Sequence, residues 1–297
     1  MTRPPDFIII GAMKCATSTL HEQLARQPGI FMSTPKEPNF FSDEGQFTRG
    51  MEWYRSLFRD AAHDDLCGES STHYTKLPAY PRTVGRMKER LGGRAKLIYI
   101  MRHPIDRLRS HYVHEWSKQV IRVGIDQAID RHPELIDYGR YGMQLEPYFE
   151  AFGRPSILPV FFDRIAAAPQ DELERICRFI GYQERPEWVC DLPEQNVSSR
   201  RLRRTRFRNL LLDSRRIRAL ARRFVPKWGR DLVENSWAVK VNTELSPEVR
   251  HRLTEVFDED LSRLGRWLGL DLQCRNFSEI AQTTAAEWVD DARGKVA

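Results

Sequence analysis

Two stretches constrain the fold of this chain more than anything else in it. Phe7-Ile-Ile-Ile10 is an unbroken apolar run, rich in β-branched residues, that meets Gly11 at once. Lys96-Leu-Ile-Tyr-Ile-Met101 is a second such run, and it ends at Arg102-His-Pro104. Runs of this kind suit strands covered on both faces, because a half-exposed strand would alternate apolar and polar residues. Each is followed by apolar residues at helical spacing: Leu20 and Leu24 after the first, Ile105 to Trp116 after the second. A third strand is expected over Ile157 to Phe162. It precedes a helix over about 170–180, where Leu173, Ile176, Cys177 and Ile180 share one face. Strands alternating with helices predict an α/β fold, a parallel sheet flanked by helices.

Ser246-Pro247-Glu248 is a helix start, with Ser as N-cap and Pro in the first helical position. Val249, Leu253, Val256, Phe257, Leu261, Leu264 and Leu268 carry its apolar stripe to Gly269, so a C-terminal helix is expected over 246–269. No repeat, low-complexity tract or linker interrupts the chain, and residues 1–297 are read as a single domain. With 41% hydrophobic and 30% charged residues, the composition excludes disordered, fibrous and membrane-spanning classes. The formal net charge of +6 is unevenly placed. Residues 200–230 hold 13 Lys and Arg against one acid, Asp213, leaving 34 basic and 40 acidic residues elsewhere. This belt is expected as a basic, helical insertion, since Phe207, Leu210, Leu211, Ile217, Ala221 and Phe224 recur at roughly helical spacing.

Five scattered cysteines, without a CxxC pair or a His at zinc spacing, predict reduced thiols, a cytoplasmic location and no structural metal. The apolar run at 7–10 is too short for a signal-peptide core, and no stretch has the length of a transmembrane segment. Oligomeric state leaves no signal in the sequence.

The loop Gly11-Ala12-Met13-Lys14-Cys15-Ala16-Thr17-Ser18-Thr19 joins the first strand to the first helix. Such a loop offers backbone N–H groups and the positive end of a helix dipole to an anion. Lys14 adds a charge, and Thr17, Ser18 and Thr19 add hydroxyls and a helix cap. The order differs from the nucleotide-binding GxxxxGK[ST] loop, because the lysine follows Gly11 by three residues and no second glycine precedes it.

Gly-x-x-Lys-x-x-Thr-Ser-x-Leu resembles the 5′-phosphosulfate loop of the sulfotransferase family. Arg102 at a strand end with Ser110 eight residues later resembles that family's 3′-phosphate motif. Similarity continues through Pro35-Lys36-Glu37-Pro38-Asn-Phe40-Phe41, Trp53-Tyr54, Gly68-Glu69-Ser70-Ser71 with Tyr74, Gly139-Arg140-Tyr141 to Leu145, and Phe161-Phe162-Asp163-Arg164-Ile165. The departures are Cys15 and Ala16, where Ser and Gly are commoner, and Asp163, where Glu is commoner.

The resemblance implies a Rossmann-like fold of the P-loop-NTPase type. It implies that 3′-phosphoadenosine 5′-phosphosulfate (PAPS) is the donor, adenosine 3′,5′-bisphosphate (PAP) the product, and that no metal is needed. The acceptor would be a hydroxyl- or amine-bearing small molecule, glycan or lipid. Lys14 is then expected at the sulfonate and leaving oxygen, the loop residues 11–19 at the 5′-phosphate, and Arg102 with Ser110 at the 3′-phosphate. Arg200, Arg201 or Arg203 would close over the nucleotide. Two residues compete as the base. Glu37 matches the glycan-type enzymes and is ranked first because more of its flanking sequence matches, while His73 matches the histidine of the cytosolic small-molecule enzymes. The rival classes are a P-loop kinase and a nucleic-acid or membrane-surface binder acting through the belt. The first is opposed by the lysine spacing. The second is opposed by sparse aromatics in the belt and the acidic remainder, so no nucleic-acid partner is expected.

Overall fold

The computed structural model describes residues 3–93, 95–190 and 241–289. The basic belt, including Arg200, Arg201 and Arg203, lies outside the described residues. Five strands, β1 (Phe7–Gly11), β2 (Ile30–Met32), β3 (Leu66–Ser70), β4 (Lys96–Met101) and β5 (Ile157–Phe161), form one sheet in the order β2-β3-β1-β4-β5. All neighbouring pairs are parallel. The apolar runs are β1 at its centre, β4 beside it and β5 at one edge: every residue of β1 and β5 is buried, as is all of β4 after Lys96. Continuous hydrophobicity in these strands thus reflects burial on both faces.

The helices, in chain order, are α1 (Thr17–Ala25), α2 (Glu44–Phe47), α3 (Gly50–Ser56), α4 (Thr83–Leu91), α5 (Pro104–Ser117), α6 (Ile125–Arg131), α7 (Glu134–Asp137), α8 (Tyr141–Phe152), α9 (Phe162–Ala167), α10 (Pro169–Ile180), α11 (Pro247–Leu268) and α12 (Phe277–Thr283). A 3-10 turn, Thr72–Thr75, follows β3. The strand expected to reach Phe162 ends one residue earlier, because Phe162 opens α9. Helix α11 starts as its sequence predicts: Pro247 is in the first turn, and the Ser246 hydroxyl accepts from the Val249 N–H at 3.3 Å. Its apolar face, Leu253, Phe257, Leu261, Leu264 and Leu268, is buried.

The order of connections creates the site. From β1 the chain passes through α1 to β2 and β3 on one side of the sheet, whereas from β4 it passes through α5 to α8 and reaches β5 on the other. Adjacent parallel strands whose connections diverge leave a crevice outside their carboxyl ends, where α/β folds bind ligands. Here that crevice lies between the end of β1, at Gly11, and the end of β4, before Arg102.

Candidate active site

The loop after β1 is held tightly. Gly11 pairs with Tyr99 across a bulge, and the Ala12 N–H donates to the Ile100 carbonyl at 2.9 Å. A Cβ on Gly11 would stand 2.0 Å from the Thr75 hydroxyl oxygen, so only glycine fits. That hydroxyl donates to the Ile10 carbonyl at 2.8 Å and ties the turn after β3 to the end of β1. Lys14 and Ala16 both take the left-handed conformation, with φ of 72° and 60°. A residue without Cβ would adopt this backbone more cheaply, which gives physical sense to a glycine preference at position 16.

The hydroxyls of Thr17 to Thr19 were expected to cap α1; the residue in the N-cap position is instead Ala16, which has no side-chain cap to offer. The first intrahelical acceptor is the Ala16 carbonyl, taken by the Leu20 N–H at 3.1 Å. The first-turn amides of Thr17, Ser18 and Thr19 therefore point out of the helix, where the dipole favours an anion. Other loop residues have different duties. The Ala12 amide is used by β4, and the Cys15 N–H donates to the Ala12 carbonyl at 3.2 Å. The Cys15 side chain is wholly buried, with burial pushing its thiol up to about 11. Met13 and Lys14 are partly exposed on the loop.

Arg102 follows β4 directly. Its guanidinium lies over the Phe162 ring, 4.8 Å from the centroid, and makes no hydrogen bond or ion pair to the described residues. Its main chain is fixed by Tyr141 at the start of α8: the Tyr141 hydroxyl donates to the Arg102 carbonyl at 2.5 Å, and the Arg102 N–H donates to that hydroxyl oxygen at 3.2 Å. The same hydroxyl is 3.9 Å from Cys15 Sγ. One tyrosine thus touches both the loop after β1 and the turn after β4. Asp260 of α11 holds this helix end, accepting from the Gly142 and Met143 N–H groups at 2.8 and 3.0 Å. Ser110, 5% exposed, lies in α5 beside His111. The charge of Lys14 is among those that depress His111, which burial and Arg107 hold down to about 2.

Glu37 and His73 meet at the carboxyl end of β3. The Glu37 N–H donates to the Ser70 carbonyl at 2.9 Å, at a left-handed φ of 59°. Its Oε1 accepts from Lys36 Nζ at 3.2 Å and from the Thr72 hydroxyl at 3.3 Å. Both contacts fall on one oxygen. His73 stacks on Tyr80 with centroids 4.8 Å apart, and its buried Nδ1 has no hydrogen-bond partner among the described residues. Burial, helped by Lys76, lowers its pKa to about 4, so the ring is neutral at pH 7. His21 on α1 joins the cluster through a 2.9 Å bond between Nδ1 and the Ser70 hydroxyl, and burial with Lys36 lowers it to about 4.

The sequence reading missed Tyr141 as a link, Lys76 and Arg107. Lys76 is 8% exposed, with Nζ 5.7 Å from the Tyr138 ring centroid, and burial lowers it to about 8. Lys76 follows the 3-10 turn after β3, where a lysine gives no sequence signal of burial. Nothing in the sequence sets Arg107 apart from other helix residues, whereas Tyr141 lies in the Gly139-Arg140-Tyr141 segment of the resemblance, which gave it no role. Among the described residues, no group of three His, Cys, Asp or Glu is arranged to hold a metal, and no helix is long and apolar enough to cross a membrane.

A family model described as the sulfotransferase domain matches residues 4–265. The mouse (Mus musculus) heparan sulfate glucosamine 3-O-sulfotransferase 3A1 is 28% identical over 186 residues, which cover 60% of this chain and 46% of that protein. The human (Homo sapiens) bifunctional heparan sulfate N-deacetylase/N-sulfotransferase 2 is 24% identical over 200 residues, covering 60% of this chain and 22% of the relative. The chain thus spans half or less of the length of these relatives. The crystal structure of a sulfotransferase from Alicyclobacillus acidocaldarius superposes with a TM-score of 0.64 at 24% identity, covering 91% of this chain and 98% of that one, a likeness of fold.

Proposed function

The chain belongs to the sulfotransferase domain family, and from that premise we propose that it moves a sulfuryl group from PAPS to a hydroxyl or amine of its acceptor. The observation that supports this reading is the meeting, at one crevice, of two segments whose chemistry suits anions. An uncapped helix N-terminus follows Lys14, and the Arg102 guanidinium, stacked on Phe162 with no hydrogen bond or ion pair to the described residues, follows the neighbouring strand, with Tyr141 in contact with both segments. A donor with separate 5′ and 3′ phosphate groups has the charge distribution that such a pair would recognise.

In this reading the amides and hydroxyls of Thr17, Ser18 and Thr19 hold the 5′-phosphate, supported by the missing side-chain cap on α1. Arg102 and Ser110 hold the 3′-phosphate. Lys14 neutralises charge on the sulfonate and on the bridging oxygen as the S–O bond to the nucleotide breaks. Glu37 takes the proton from the acceptor as its oxygen or nitrogen bonds to sulfur, and PAP leaves. Lys36 and Thr72 fix Oε1 of Glu37, which turns Oε2 to the acceptor. His73, neutral and with an unpartnered Nδ1, suits a polar contact with the acceptor better than a second base. Positioning and fixed charge supply most of the rate in group transfers of this kind.

The two mammalian relatives carry heparan sulfate in their names, which supports a sugar hydroxyl or amine ahead of a small-molecule or lipid alcohol. Free thiols at all five cysteines support a reducing, cytoplasmic setting. Calorimetric titration with PAP and with ATP tests the donor. PAP should bind more tightly, and Arg102→Ala should erase that preference. Tighter binding of ATP, or a preference untouched in Arg102→Ala, would overturn the reading.

A further inference from the structure

Beneath the crevice lies a charge that the reaction scheme above does not use. Arg107 is wholly buried, the largest side chain in the core to be so. Its Nη2 donates to the Leu135 carbonyl, its Nη1 lies 3.4 Å from Nδ1 of His111, and its Nε has no hydrogen-bond partner among the described residues. No carboxylate forms an ion pair with it among the described residues. Its surroundings are instead Tyr141, Cys15, Tyr99 and Tyr138, the groups that interact with its charge most strongly after burial itself. Burial raises the pKa of each, so all are neutral near pH 7. His111 is neutral too, as its role as acceptor from Arg107 requires. A buried cation without a counter-ion costs several kcal/mol in effective desolvation, and proteins rarely keep one without a use.

The position of Arg107 indicates that use. Within α5 it precedes Ser110 by three residues and His111 by four, so the three share one helix face. Its charge acts on Cys15, in the loop after β1, and on Tyr141, the tyrosine that fixes the Arg102 main chain. Gly139 leaves room for it: a Cβ there would stand 3.1 Å from Arg107 Nε. We propose that Arg107 is a positioning residue whose buried guanidinium charge stands behind both phosphate sites and is neutralised only when the anionic donor binds. It does not touch the donor. It supplies a fixed positive potential through a low-dielectric layer of neutral side chains, where a charge acts further than it would in water. This deepens the donor reading above and rests on it.

The test is PAP affinity measured beside the stability of the ligand-free protein in Arg107→Met and Arg107→Lys, with inorganic pyrophosphate as a second anion. Methionine replaces the charge by an apolar chain of similar length. In Arg107→Met the Kd for PAP should rise at least tenfold while the ligand-free Tm holds or rises, since an uncompensated charge has been removed. Arg107→Lys keeps the charge but not the planar fork, so PAP affinity should stay within about threefold of the parent even if Tm falls. Unchanged PAP affinity in Arg107→Met overturns the proposal. So does a loss of affinity in both variants that only follows their loss of stability, or failure of both to fold, since the guanidinium is then structural. Arg107-dependent binding of pyrophosphate by a parent protein that ignores PAP would refute the donor reading and leave the role of Arg107 standing.

Discussion

The hydroxyl of Tyr141 stands on the main chain of Arg102, donating to its carbonyl and accepting from its N–H. A single phenol therefore satisfies both polar main-chain groups of the residue that follows β4, 39 positions earlier in the chain. Because its oxygen also meets Cys15 Sγ, the loop after β1 cannot shift against Arg102 without disturbing it. Tyr141→Phe keeps the ring and leaves both Arg102 groups without that partner. The expected result is a loss of about 1–2 kcal/mol in stability and about a tenfold weaker Kd for PAP. Calorimetry beside thermal unfolding checks both, and an unchanged Kd would show that the two anion segments are aligned by other means.

Glu37 and His73 can be separated by kinetics. Glu37→Gln preserves the side-chain shape but not its basicity, so kcat should fall by about 10²–10⁴ with PAP affinity unaltered. His73→Asn should act mainly on the KM for the acceptor. The reverse pattern, with kcat collapsing in His73→Asn and surviving in Glu37→Gln, would reassign the base. Both assays need a competent acceptor, for which a panel of sugar alcohols and amines is the first choice.

Ala16 occupies a left-handed conformation that costs an L-residue with a Cβ. Ala16→Gly should relieve that cost, offset in part by the greater freedom of glycine in the unfolded chain, for a net gain of about 0.5–1 kcal/mol. A Tm rise of a few degrees is the expected readout. A Tm that falls would mean that the alanine methyl contributes packing worth more than the backbone cost.

Glu69, wholly buried in β3, has its carboxyl raised by burial to about 8. The folded chain therefore binds this proton more tightly than the unfolded chain, whose carboxyl titrates near about 4.3. Stability linked to this proton is fully present below that value and is lost as pH rises through about 8. Glu69→Gln holds a neutral group at all pH values. Relative to the parent it should gain on the order of 1 kcal/mol per pH unit between pH 5 and pH 8. Denaturant unfolding at several pH values measures the difference, and a flat one would show that the carboxyl is ionised in the fold.

The sheet was legible because its evidence is local. Phe7–Ile10, Leu97–Met101 and Ile157–Phe161 are apolar throughout, and strands buried on both faces must be. Ser246 and Pro247 announced α11 by the same local chemistry. Strand β2 was not anticipated, since three residues give no pattern to read. Nor was the uncapped start of α1, where hydroxyls at Thr17 to Thr19 suggested a cap that the backbone of Ala16 displaced.

By itself, the sequence determined the parallel α/β architecture, the Gly11 to Thr19 loop and the placing of Arg102 at a strand end, because strand burial and chain order leave little else for those residues to do. Only the tertiary structure decided that Tyr141 binds the Arg102 main chain, that Lys36 and Thr72 hold one oxygen of Glu37, and that Arg107 is buried without a counter-ion among the described residues. Except for the Lys36 pair, those relationships join residues far apart in sequence, and burial and hydrogen bonding act on distance in space. Periodicity reports which face a residue turns to the core, and the packing of other elements determines what it meets there.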